Sequence, residues 1–185
     1  MSLKDKTAIV GAGCCHFKEN WAQDSESMIV DAVLEAYQDT GIEDPNKQID
    51  AIYCGSLYAP MGNVHVSEAL KLYKPLTGVS NYCATGTEAI RAAVMSIAAG
   101  VYDTVLVVGY DKPKDRGVSG PSVNIRAVRE QPQTPATWFA MCAAPYFKKY
   151  GAGREDLARI AVKNHHNGTL APKSFLKREI TIEDA

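Results

Sequence analysis

The sequence predicts an α/β domain built on a largely parallel sheet. Over about the first 110 residues, short apolar runs alternate with segments of helical periodicity, the pattern of successive strand–helix–strand units. One run, Thr104-Val105-Leu106-Val107-Val108, is apolar at nearly every position, as a strand covered on both faces requires. Hydrophobic residues make up 46% of the chain, enough to bury a core beneath such a sheet.

Thr7-Ala8-Ile9-Val10-Gly11 reads as the first strand. Asp24 stands at an N-cap position ahead of Met28, Ile29, Ala32, Val33, Ala36 and Tyr37, which share one helical face, and Gly41 occupies the C-cap. Ala51-Ile52-Tyr53-Cys54 is a second strand. A shorter helix is expected at about residues 66–73, ended by Pro75. Val79-Ser80-Asn81-Tyr82 reads as a third strand that leads directly into a helix over about residues 84–99, stopped by Gly100. The 104–108 run follows as the fourth strand.

Beyond Asp111 the texture changes. Residues 112–133 are polar and carry Pro113, Gly117, Gly120, Pro121 and Pro132, and an irregular connection of that length is usually functional or mobile. Thr134 and Pro135 read as an N-cap and first helical residue of a helix ending before Gly151. Another helix is expected from Arg154 to about Asn167, with Glu155 and Asp156 in its first turn and Gly168 as its cap. Ile180 to Ala185 read as a strand residue, a Thr181 N-cap and a first helical turn with Asp184 closing a weak capping box. The expectation is that the chain is one part of something larger.

Composition narrows the function. The formal net charge is -1, without the basic excess that holds a phosphate backbone, so no nucleic acid is expected as a partner. No apolar run approaches the roughly 20 residues of a membrane span. The opening residues lack the apolar core and cleavage site of a signal peptide, so a cytoplasmic protein is the expectation. Cys14, Cys15, Cys54, Cys83 and Cys142 are an odd count with no C-x-x-C pair. They read neither as a disulfide framework nor as a zinc site, and no metal is expected.

Cys83 is the candidate catalytic residue. It falls between a predicted strand and a predicted helix, where the first helical N–H groups lack partners and carry partial positive charge. A thiolate there is stabilised, and cysteine is intrinsically suited to covalent acyl transfer. Ala84, Thr85, Gly86 and Thr87 are small and leave room for a thioester. The bland alternative is a small buried cysteine at a helix start.

Asn81-Tyr82-Cys83-Ala84-Thr85-Gly86 resembles the nucleophilic-cysteine motif of thiolases, closest to the acetyl-CoA acetyltransferase-like branch related to sterol-carrier-protein thiolases. Gly100-Val101-Tyr102-Asp103, the following Val105 to Gly109, and Asp111-Lys112 resemble the family's strand after the nucleophilic helix. Phe139-Ala140-Met141, Tyr146-Phe147 and Tyr150-Gly151 resemble its substrate-covering loop domain. Ala161-Val162-Lys163-Asn164-His165-His166-Asn167-Gly168, with Pro172-Lys173, is similar to its Lys-Asn-His segment.

The resemblance implies a thiolase-like α/β fold with residues 1–115 as the N-terminal core and 116–185 as the start of the loop domain. The family's second half is not among these residues. It implies acyl transfer between coenzyme A thioesters, with no bound cofactor and Cys83 as acyl carrier. Contacts from His165, His166 and Asn167 to the acyl or pantetheine group are implied by analogy. The remaining acid/base and oxyanion groups would come from the second half. A homo-oligomer and a zinc-ribbon/OB-fold partner of the DUF35 type are further implications. Two other functions stay open: an aldolase of thiolase fold that cleaves CoA-linked side chains, and a non-catalytic subunit that binds acyl-CoA or scaffolds a partner.

Other candidates carry less. Gly11-Ala12-Gly13 begins a dinucleotide fingerprint, but its third glycine position holds His16. Adjacent His165 and His166 diverge by about 100° on a helix and do not share a metal. His16 and His65 have no partners recognisable in sequence. Lys112, Lys114, Arg116, Arg126 and Arg129 are a solvated cluster or a contact for the phosphates of coenzyme A.

Overall fold

The computed structural model describes residues 3–57, 63–116 and 135–185. These form two compact units, Met1–Cys15 with Glu19–Lys112, and His16–Lys18 with Pro113–Ala185.

The first unit opens its regular structure with α1 (Ser25–Thr40). Asp24 caps it as predicted, accepting a bond from the Ser27 amide at 2.8 Å. Gly41 ends it in the left-handed conformation, φ +74°, donating its N–H to the Tyr37 carbonyl. A single turn, α2 (Pro45–Gln48), was not legible from periodicity. The central strand β1 (Ala51–Gly55) follows, then α3 (Val64–Leu70), β2 (Leu76–Val79), α4 (Thr85–Ala98) and β3 (Val105–Gly109).

The sheet order is β2-β1-β3, and β1 pairs in parallel with both neighbours. Ile52 lies opposite Leu76 on one side and Leu106 on the other. Alternation along β1 sends Ile52 and Cys54 to one face and Ala51, Tyr53 and Gly55 to the other. Ile52 and Cys54 are fully buried and pack with Ile29 and Val33 of α1, Val66 of α3 and Val108 of β3. α4 packs against β1 and β3 through Thr85, Ala89 and Ala93, all buried. Their four-residue spacing makes one stripe of small side chains, so the helix lies close to the sheet. The starts of β1 and β3 are tied by Asp50, whose carboxylate accepts from the Asp103 and Thr104 amides at 2.9 Å each.

Three predicted strand features are corrected. The third strand runs over Leu76–Val79 rather than residues 79–82. Pairing with β1 sets its register, and residues 80–84 are spent on the turn into α4. The predicted first strand at residues 7–11 forms no ladder. It is held to α1 by the Ala12 amide on Asp39 and the Cys14 amide on Glu35, and Ile9 and Val10 are exposed. A cleft of about 680 Å³ is lined by residues 7–13 on one side and 104–109 on another, with Ala36 of α1 and Ile90 and Ala93 of α4 also contributing. For the same reason β3 is half-buried, with Val108 its only buried residue, and the predicted double-faced burial of residues 104–108 does not hold.

The second unit contains a 3₁₀ turn (Pro113–Arg116), α5 (Pro135–Tyr150) and α6 (Arg154–Leu170). Thr134, predicted as the N-cap of α5, lies outside the described residues, as does most of the irregular 112–133 stretch. α6 starts as predicted, with the Asp156 carboxylate accepting from the Gly153 amide at 2.8 Å. It does not stop at Gly168. A Cβ there would stand 2.6 Å from the Leu176 carbonyl oxygen, so this glycine serves a close backbone approach inside the helix. The Thr181–Asp184 capping box forms in both directions, at 3.0 and 3.3 Å.

Candidate functional site

The three strands are parallel, so their C-terminal ends share one edge of the sheet, where open α/β sheets place their ligands. Ser56 and Leu57 leave β1 there, residues 80–84 leave β2, and Tyr110 to Lys112 leave β3. Asp111 joins two of these exits: its carboxylate accepts from the Ser56 hydroxyl at 2.8 Å and the Leu57 amide at 3.1 Å.

Cys83 lies in the third exit. The turn is closed by the Ala84 amide on the Asn81 carbonyl and the Thr85 amide on the Tyr82 carbonyl, each at 3.0 Å. Tyr82 adopts φ +47°, a region side-chain-bearing residues rarely occupy. The Thr85 hydroxyl donates to the Tyr82 carbonyl at 2.6 Å and accepts from the Asn81 amide at 2.8 Å. Thr85 is buried while Cys83 is exposed. α4 begins immediately beyond, and its N-cap, Ala84, supplies no side-chain bond. An exposed thiol beside the uncapped N-terminus of a helix packed on the sheet by one buried stripe has the access and the partial positive charge that nucleophilic chemistry needs. Cys83 is therefore not the small buried cysteine at a helix start of the bland alternative, whereas Cys54, within β1, is fully buried. Burial, with the charge of Asp111, pushes the Cys54 thiol up to about 12.

His165, His166 and Asn167 belong to the second unit, on α6. Both histidines hold the chain that follows: His165 Nδ1 donates to the Arg178 carbonyl at 2.8 Å, and His166 Nδ1 meets Glu179 at 2.9 Å. Of the basic cluster, the Lys112 ammonium donates to the Gln23 carbonyl, and Arg126 and Arg129 lie outside the described residues. Gly11 and Gly13 have a packing role: a Cβ on Gly11 would collide with Thr40 and one on Gly13 with the Ala32 carbonyl, both of α1. No helix N-terminus follows them to hold a phosphate.

One constellation escaped the sequence reading, which found no partner for His65. Its Nε2 lies 3.0 Å from the Ser25 hydroxyl and its Nδ1 3.5 Å from Glu26, with the ring against Tyr110. A separation of 40 residues between Ser25 and His65 leaves no local signal to read. Thr85 and Gly55 were missed similarly: a Cβ on Gly55 would collide with the Thr85 methyl, and only the packed sheet and helix reveal that contact.

Comparison with known proteins agrees with this architecture. Residues 5–184 match the family described as "Thiolase, N-terminal domain". The acetyl-CoA acetyltransferase of Methanothermobacter thermautotrophicus is 30% identical over 187 residues, covering 95% of this chain and 48% of that protein. The steroid side-chain-cleaving aldolase of Thermomonospora curvata is 29% identical over 205 residues, covering 98% and 50%. Among solved structures, the Ltp2-ChsH2(DUF35) aldolase superposes with a TM-score of 0.77 at 26% identity, covering 96% of this chain and 47% of that one. The chain thus spans about half the length of the curated relatives it matches.

Proposed function

The chain belongs to the thiolase family, and from that membership we propose that its protein is an acyltransferase acting on coenzyme A thioesters, with Cys83 as the acyl carrier. The carrying observation is the exposed Cys83 thiol at the sheet's C-terminal edge, beside the uncapped start of α4. In the proposed reaction the Cys83 sulfur attacks the thioester carbonyl. A new carbon–sulfur bond forms as the bond to coenzyme A breaks, and the coenzyme leaves as its thiol once protonated. The acyl group then passes to the carbon nucleophile of a second thioester, in condensation, or to coenzyme A, in thiolysis. The small residues after Cys83 leave space for the thioester, and the packed stripe of α4 keeps the base of the site rigid.

Further assignments extend this reading. Residues 116–185 are proposed as the beginning of a substrate-covering domain, with His165, His166 and Asn167 contributing to the acyl or pantetheine contact. No bound cofactor is required. A homo-oligomer, a cytoplasmic location and a DUF35-type partner complete the proposal, the last supported by the name of the solved relative. None of the described helices is long and apolar enough to cross a membrane.

A side-chain-cleaving aldolase is the second reading, favoured by the names of two relatives. Intact-mass measurement separates the two. After incubation with acetyl-CoA and longer acyl-CoAs, the parent protein is expected to gain the acyl mass and Cys83→Ala is expected not to. A parent without an adduct, but with retro-aldol cleavage of a CoA-linked side chain, would overturn the acyltransferase in favour of the aldolase.

A further inference from the structure

We propose that Thr85 is the positioning residue of the site: its side chain locks Tyr82 in the left-handed conformation and so sets the Cys83 thiol at the mouth of α4. The inference rests on reading Cys83 as the acyl carrier and adds what holds that carrier in place.

Threonine answers two demands at once. Its hydroxyl joins the Asn81 amide and the Tyr82 carbonyl across the turn, at 2.8 and 2.6 Å. Its methyl packs on Gly55 at the end of the central strand, where a larger residue at position 55 has no space. The five-residue turn is thereby fastened to the most buried strand of the sheet. Tyr82 pays in strain, since a bulky side chain at φ +47° is disfavoured. That strain persists because the hydroxyl of buried Thr85 would forfeit its hydrogen bonds where water has little access if the turn relaxed. Cys83 lies between the strained residue and the clamp. Releasing the turn therefore moves the sulfur relative to α4 and leaves the rest of the fold in place.

The test uses four variants of the full chain: Thr85→Val, Thr85→Ser, Tyr82→Val and Tyr82→Gly. Acylation by acetyl-CoA is followed by intact mass, and alkylation by iodoacetamide is followed at each cysteine by peptide mass. Buried Cys54 reports unfolding in the same sample, and exposed Cys14 and Cys142 report reagent strength. Thr85→Val keeps the methyl and loses the hydroxyl, and Tyr82→Val is β-branched and resists a positive φ. Both are expected to slow Cys83 acylation by roughly a hundredfold, the size of effect that a shift of about 1 Å produces, with Cys54 still protected. Thr85→Ser restores the hydroxyl without the methyl and is expected to recover most of the rate, and Tyr82→Gly accepts the conformation without strain and is expected to stay close to the parent. Parent-like rates in Thr85→Val, or labelling of Cys54 in that variant, would overturn the positioning role. If the parent gains no acyl group while iodoacetamide still ranks the variants as stated, the acyl-carrier reading fails and the positioning role stands.

Discussion

Cys54 and Cys83 are the same residue type in one compact unit, and their surroundings separate them. Cys83 is exposed where a helix begins, whereas Cys54 lies inside the sheet beneath α1. Burial pushes Cys54 and Tyr37 each up to about 12. Both stay protonated in the folded protein after the unfolded chain has lost those protons, so the native state is favoured below the unfolded values. That stability declines as pH rises through about 9 to 12. Chemical unfolding is therefore expected to give a lower midpoint at about pH 10 than at neutral pH, with a smaller loss in Cys54→Ala. Equal losses in both proteins would deny Cys54 that role. Asp50 acts at the other end of the scale. The Thr104 and then the Asp103 amides hold its carboxyl below the usual range, so the unfolded chain takes up that proton first. The resulting stability is present above about pH 4 and is lost as pH falls through that value and below. Asp50→Asn is expected to lower stability at neutral pH by about 1 kcal/mol, with the difference from the parent shrinking in acid. Thermal melts of the two proteins across pH provide the measurement.

At the scale of elements, the caps of α1 and the limits of β1 and β3 were legible to within a residue, and the limits of β2 were not. Asp24 and Gly41 bound α1 where expected because a cap is local chemistry, decided within three or four residues. The β2 limits depend on which residues meet β1, and no local pattern carries that register. Gly168 shows a local rule overridden. Its place after a periodic run predicted a cap, yet α6 continues to Leu170 and the glycine admits the Leu176 carbonyl. Gly168→Ala therefore sets two effects against each other. Helix propensity favours alanine by about 1 kcal/mol. Crowding a methyl against a backbone oxygen costs roughly 1–3 kcal/mol, and the neighbour here is main chain rather than a flexible tip. The expected result is a lower melting temperature, and a rise would show that the 174–176 segment yields.

Across the first unit β1 is paired on both sides, and among the described residues β3 has no ladder partner on its outer edge. Tyr110 donates its amide to the Gly55 carbonyl, so by alternation the Leu106 and Val108 amides also turn toward β1. Those of Val105, Val107 and Gly109 turn toward the cleft. Hydrogen exchange is expected to follow that alternation, fast at Val105, Val107 and Gly109 and slow at Leu106 and Val108. Uniform protection along β3 would mean that its outer edge is paired. The sequence by itself determined the α/β class, the longer helices, the caps of α1, and the cysteine between strand and helix, because periodicity, capping and small-residue runs act over a few neighbours. Tertiary structure alone decided where β2 begins, that residues 7–11 stay off the ladder, which cysteine is buried and which exposed, and that Thr85 reaches Gly55 across the fold. Each of those outcomes depends on contacts between residues far apart in the chain, and only packing brings such residues together.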